Sequence, residues 1–178
     1  DPMKTTAAAI LALLTLTACA STPGPAPSGP ARPPAGGTAE FRVQDFAWSA
    51  VAGRNRIDGQ VTHRQDGKSF GCADAGVLLT PQTNWTRARM KILYKSTEHA
   101  ALPASEVRGR TPPGRSNDYS AYVRRAACDA TGRFSFAGLP DGDWFAITVA
   151  KPVGAAGPEI AIMRHVSTRG GKAVSLGL

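Results

Sequence analysis

An all-β fold, a sandwich of short antiparallel strands, is what the sequence predicts, and three observations predict it. Seven short runs rich in β-branched and aromatic residues recur between residues 40 and 178. Most are bounded by Gly, Pro, Asp or Asn, as strands between tight turns are. Residues 39–178 are enough chain for one domain with its own core, though not comfortably for two.

The runs are EFRVQDFAW (40–48), RIDGQVTHR (56–64), AGVLLTP (75–81), GRFSFAGLP (132–140), DWFAITVAK (143–151), EIAIMRHVS (159–167) and KAVSLGL (172–178). In the fourth, Phe134 and Phe136 are two residues apart and share the core face, leaving Arg133 and Ser135 to water. The turn that follows is Leu139-Pro140-Asp141-Gly142. Pro140 presets its backbone, Asp141 suits the next position, and Gly142 is expected in the left-handed conformation. In the fifth run Phe145, Ile147 and Val149 alternate with Trp144, Ala146, Thr148 and Ala150, so neither face is strongly polar. That pattern predicts a strand in the middle of a sheet with the Phe145 set inward. Trp144 is expected to pack, in preference to stacking on a sugar.

The N-terminus reads as export machinery. Asp1-Pro2 looks like a cloning remnant ahead of Met3, and residues 3–18 carry one positive charge, Lys4, followed by an apolar stretch too short to span a bilayer. Leu16-Thr17-Ala18-Cys19 resembles a bacterial lipobox, which makes Cys19 the expected lipidation site and the lipid the membrane attachment. Ala20 after it fits sorting to the outer membrane, on the periplasmic or cell-surface side. Residues 19–38 are dominated by Pro, Gly, Ala and Ser and form a tether. With Cys19 so used, Cys72 and Cys128 remain as an even pair in a compartment where disulfides persist, and a bond between them is expected. Such a bridge contributes ~4 kcal/mol on a chain-entropy estimate.

Asp129, Gly132, Phe134, Phe136, Leu139, Pro140, Gly142 and Trp144, preceded by Gly59 to Val61 and Ala75 to Pro81, together resemble the carboxypeptidase regulatory-like domain. The resemblance implies a seven-stranded antiparallel transthyretin-like, Ig-like β-sandwich used for binding, spacing or folding support, with no catalytic residues. It covers about a third of the chain. Relatives join the two halves of the pattern closely, whereas here residues 82–127 intervene.

That insertion concentrates the charge. It holds Arg87, Arg89, Lys91, Lys95, Arg108, Arg110, Arg115, Arg124 and Arg125 against Glu98, Glu106 and Asp118, a net of +6 in a chain of +8. A local positive field in the envelope would attract lipopolysaccharide phosphates, peptidoglycan carboxylates or an acidic envelope protein; a solvated basic loop with no ligand explains the charge equally well. Residues 84–96 read two ways. With period two, Arg87, Arg89, Lys91 and Lys95 share a strand face; with Thr83 or Asn84 as cap the segment is a short helix, the reading preferred. Residues 103–118 read as loop. Nucleic acid is not expected as a partner, because the aromatics are not interleaved with the cations.

Signs of catalysis are absent from the text. His63, His99 and His165 stand far apart with no metal-ligand spacing, no Gly-x-Ser-x-Gly elbow or phosphate loop occurs, and carboxylates are sparse. No metal or cofactor is expected. The sequence favours a non-enzymatic, lipid-anchored module that presents its basic insertion to an anionic envelope component. Two alternatives stand beside it: an assembly module docking by a sheet edge onto a secreted enzyme or secretion complex, and a hydrolase whose cleft is assembled from distant carboxylates or a histidine.

Overall fold

A computed structural model describes residues 39–111 and 118–178. Cys19, the signal sequence, the tether and Arg115 lie outside the described residues. In chain order the elements are a 3₁₀ segment (Val43–Ala50), β1 (Asn55–Gln60), β2 (Arg64–Gln65), β3 (Lys68–Gly71), β4 (Val77–Pro81), α1 (Asn84–Tyr94), β5 (His99–Pro103), α2 (Ala104–Gly109), a 3₁₀ turn (Ser120–Tyr122), β6 (Arg124–Ala126), β7 (Arg133–Leu139), β8 (Gly142–Pro152), β9 (Ile160–Thr168) and β10 (Ala173–Gly177).

They form two sheets. The smaller has the order β10-β1-β7. In the larger, β8 is central: it pairs with β9 along one side and with β4 and then β3 along the other, while β5, β6 and β2 extend the edges. Every pairing is antiparallel except β1 with β10, which run parallel. That exception corrects the all-antiparallel expectation. The chain from β9 returns through a turn at Gly170 and Gly171, and β10 lies along the free side of β1.

The space between the sheets is filled by Trp144, Ala146 and Ala150 of β8, Ile57 of β1, Val77 and Leu79 of β4, Phe134, Phe136 and Leu139 of β7, and Ile160, Ile162 and Val166 of β9. As expected, Phe134 and Phe136 are buried while Arg133 and Ser135 are exposed. Trp144 is fully buried, stacks edge-on against Trp48 at 4.8 Å and donates its indole N–H to Thr168 at 3.0 Å, so it packs and is closed to any ligand.

The Phe145 set faces the other way. Phe145, Ile147 and Val149 meet Ala161 and Met163 of β9 and are covered by Met90, Leu93 and Tyr94 of α1 and Ala104 and Val107 of α2. The insertion thus supplies a third layer over the large sheet. Each fully buried Leu or Met in that layer is worth about 1.5–3 kcal/mol, enough to hold a short helix that would be marginal alone. The loop expected over 103–118 is corrected at its start, where Ala104 and Val107 are buried and the chain coils as α2.

Two further corrections concern the ends of the domain core. Residues 40–48 are not a strand. Phe41 and Val43 fall out of phase with Phe46 and Trp48 across Gln44-Asp45, so period two fails, and the segment coils instead, with Ser49 Oγ donating to the Phe46 carbonyl at 2.7 Å. Gly142 is not left-handed; the positive φ in this hairpin belongs to Gly138, at 67°. Glycine is needed at 142 because a Cβ there would overlap the Trp48 ring. Asp141 has a wider task than a turn residue, accepting from Asn55 Nδ2 at 2.8 Å and Gly170 N at 2.9 Å, and so joins β1, the β7–β8 hairpin and the β9–β10 turn.

The expected disulfide is present. Cys72 and Cys128 are bonded across 56 residues, with Cα atoms 5.6 Å apart, tying the approach to β4 to the approach to β7.

The Trp48 overlap generates a test. Gly142→Ala is expected to lower stability by about 1–3 kcal/mol in urea denaturation, as overpacking does. In a Trp48→Ala background the same substitution is expected to cost much less.

Candidate functional site

Whether residues 84–96 were strand or helix decides where the cations go, and the segment is helical. Thr83 caps it: the Thr86 amide donates to Thr83 Oγ1 at 3.1 Å and the Thr83 amide to Thr86 Oγ1 at 2.8 Å. Thr86 Oγ1 also donates to the Pro81 carbonyl at 2.9 Å, fixing the helix start to the end of β4. Thr86, Met90, Leu93 and Tyr94 then point to the sheet. Lys95 ends the helix in the left-handed conformation, φ 56°.

With the inner face so fixed, steps of four residues place Arg87, Lys91 and Lys95 along one outer stripe. All three are exposed and line a groove of about 420 Å³ together with Asn84, Ala88, Ser96 and Thr97. No carboxylate lines the groove, the helix contains no Asp or Glu, and none of the three cations forms an ion pair among the described residues. Arg89 is turned away by ~200° from Arg87, and its guanidinium lies 5.7 Å from the centre of the Trp85 ring.

The rest of the expected basic patch is not gathered here. Arg108 pairs with Glu159 at 2.7 Å. Arg110 pairs with Glu106 at 3.0 Å and donates to the Leu93 carbonyl at the end of α1. Arg124 donates to the Ser49 carbonyl and stands over Trp144, so its charge serves packing. Arg125 is exposed on the edge strand β6.

Beside α1 lies a cluster that the linear text does not announce. Phe41, Phe46, Trp85, Tyr119 and Tyr122 meet with ring centres 5.1–5.8 Å apart, drawn from three distant segments. Phe46 is fully buried at its heart. Nearby, burial pushes the Tyr94 hydroxyl up to about 12, with Tyr119 adding to the rise and Arg89 opposing it. This cluster fixes the outer flank of α1.

A histidine does meet carboxylates, though the sequence separates them. His165 Nε2 lies 3.4 Å from Asp143 and its Nδ1 lies 3.7 Å from Glu98. Asp143 is locked by the Ser167 hydroxyl, which donates to it and not to His165, and by the Arg169 guanidinium at 2.9 Å, so the group holds no hydroxyl–imidazole pair to act as a nucleophile and base. Among the described residues no group of three or more His, Cys, Asp and Glu is disposed to hold a metal. On the outer face of the smaller sheet a shallow trough of about 910 Å³ runs past Arg56, Asp58, Arg133 and Ser135. There Asp58 is already satisfied by Arg56 at 2.8 Å and Ser135 at 2.9 Å, which hold its carboxyl below the usual range.

Similarity to known proteins extends to the fold. No family profile and no curated protein matches the chain. A crystal structure of a candidate carbohydrate-binding protein from Pseudomonas aeruginosa superposes with a TM-score of 0.58 at 21% identity, covering 80% of this chain and 100% of that one.

The Asp143 lock predicts a pH dependence. Burial raises this carboxyl's pKa, but the Ser167 hydroxyl and the Arg169 guanidinium outweigh it and the net value lies below the ordinary one. A depressed folded value means stability that is full above the unfolded value of about 3.9 and is lost as pH falls through the folded value. Urea midpoints measured from pH 6 to pH 2 are expected to fall on the acid side for the wild type, and less steeply for Asp143→Asn.

Proposed function

We propose that this chain is a non-enzymatic binding module of the bacterial envelope, lipid-anchored through Cys19, that offers the outer face of α1 to an anionic envelope component. The observation that carries the reading is the stripe of Arg87, Lys91 and Lys95, exposed on a helix without acidic residues and facing a groove without acidic lining. Cations retained together and unneutralised repel one another along a helix, so they are better explained by a ligand than by the fold. The paired Arg108, Arg110 and Arg124 are explained by the fold.

The ligand class follows from charge and compartment: the phosphates of lipopolysaccharide or the carboxylates of peptidoglycan. The fold likeness to a candidate carbohydrate-binding protein supports a glycan-bearing ligand. A carboxypeptidase regulatory-like origin is part of the proposal, supported by its motif residues lying in, or in the turns beside, β1, β4, β7 and β8 of one sandwich.

Co-sedimentation of the protein with purified peptidoglycan and with lipopolysaccharide, at low and high salt, tests this. Binding to one of them is expected to weaken at high salt, since exposed charges are screened. Arg87→Gln, Lys91→Gln and Lys95→Gln combined are expected to weaken it roughly a hundredfold, at ~1 kcal/mol per cation facing an anionic surface. Binding indifferent to both salt and the triple variant would instead favour docking on a protein through a sheet edge.

A further inference from the structure

We infer that the groove beside α1 is a discrete site for a phosphate monoester on a sugar-sized ligand, rather than one part of a diffuse positive field. This rests on the reading of α1 as the ligand-facing surface. The groove's volume, about 420 Å³, is that of a small-ligand site. Ala88, with its single methyl, lines it together with Asn84, Arg87, Lys91 and Lys95.

The polar lining selects the ligand's charge. A carboxylate carries one charge and is satisfied by one bidentate guanidinium. A phosphate monoester carries about −1.5 to −2 at neutral pH and three acceptor oxygens. One Arg and two Lys on a single groove match the second. Ser96 adds a donor: its Oγ accepts from the Glu98 amide at 3.0 Å and the His99 amide at 3.2 Å, and among the described residues its own proton has no acceptor. The Asn84 amide and the Thr97 hydroxyl complete a lining suited to sugar hydroxyls.

Lys95 supplies an independent sign. It occupies the left-handed position that closes α1, where glycine is unstrained and a lysine is not. Lys95 also lines the groove, and strained residues of this kind collect at functional positions.

The test uses the full chain and calorimetric titration with glucose 6-phosphate, glucuronate and glucose. Glucose 6-phosphate is expected to bind at least tenfold tighter than glucuronate, and glucose not measurably. Ala88→Phe narrows the groove and keeps every charge, so it is expected to weaken glucose 6-phosphate at least tenfold and to weaken the salt-sensitive polymer co-sedimentation with it. Lys95→Gly relieves the strain, so it is expected to raise the melting temperature and still weaken glucose 6-phosphate several-fold, a loss that misfolding cannot explain. Unchanged affinity in these two variants, or glucuronate binding as tightly as the phosphate, overturns the discrete site. Polymer binding lost only in the Arg87, Lys91, Lys95 triple variant would then leave the broader reading standing, and indifference of that variant sinks both. Flotation on phosphatidic-acid vesicles that glucose 6-phosphate abolishes supports the site for a lipid-borne monoester, and soluble binding without flotation supports it for a free one. Flotation that glucose 6-phosphate does not touch counts against it.

Discussion

Because Trp144, Ala146 and Ala150 leave one face of β8 while Phe145, Ile147 and Val149 leave the other, that strand has to be covered on both sides. The smaller sheet covers the first face. A plain sandwich leaves the second face wet, and here that would expose a row of large apolar side chains on β8 together with Ala161 and Met163 of β9. Residues of the insertion answer this. Met90, Leu93 and Tyr94 from α1 and Ala104 and Val107 from α2 close the outer face, and once they do, the orientation of α1 is no longer free. The outward direction of Arg87, Lys91 and Lys95 follows from the inward direction of Met90 and Leu93 on the same turns.

The same constraint holds α1 in place. α1 is held at its start by the Thr83–Thr86 cap and the Thr86 bond to Pro81, at its end by Arg110 reaching the Leu93 carbonyl, and along its flank by the aromatic cluster around Phe46. The Cys72–Cys128 bond brackets the entire insertion, from before β4 to after β6, and limits how far it can move in the unfolded chain. On a helix so held the backbone positions of the three cations are fixed, so the proposed ligand would meet them without ordering a loop.

Much of the sandwich is legible in the sequence. The alternation in Phe134 and Phe136 and the even cysteine pair are local signals that lie where their patterns place them; the apolar run from Phe145 to Val149 is mid-sheet as expected, but its Phe145 set faces the helices, not the space between the sheets. The strand expected over 40–48 failed on a break in its own alternation, whereas other failed expectations depend on distant partners. No local pattern shows that Trp48 stands over Gly142, so a steric requirement reads as a conformational one. The parallel pairing of β10 with β1 joins segments more than a hundred residues apart. The short strands β2, β3, β5 and β6 are set by neighbours more than by their own composition. For the site, the abundance of positive charge is plain, but its division is not. Helical phase, fixed only by what α1 buries, separates the three groove cations from Arg89, while Glu159, Glu106 and the Ser49 carbonyl claim Arg108, Arg110 and Arg124.

One face of α1, rather than the basic chain as a whole, is proposed to meet the ligand. Lysine acetylation followed by mass spectrometry, with and without purified lipopolysaccharide or peptidoglycan fragments, addresses it most directly. Lys68, Lys91, Lys95, Lys151 and Lys172 are all exposed, so each reports on its own neighbourhood. Selective protection of Lys91 and Lys95 is expected, with Lys68, Lys151 and Lys172 labelled as in the free protein. Uniform protection of all five, or protection confined to the other three, would contradict it.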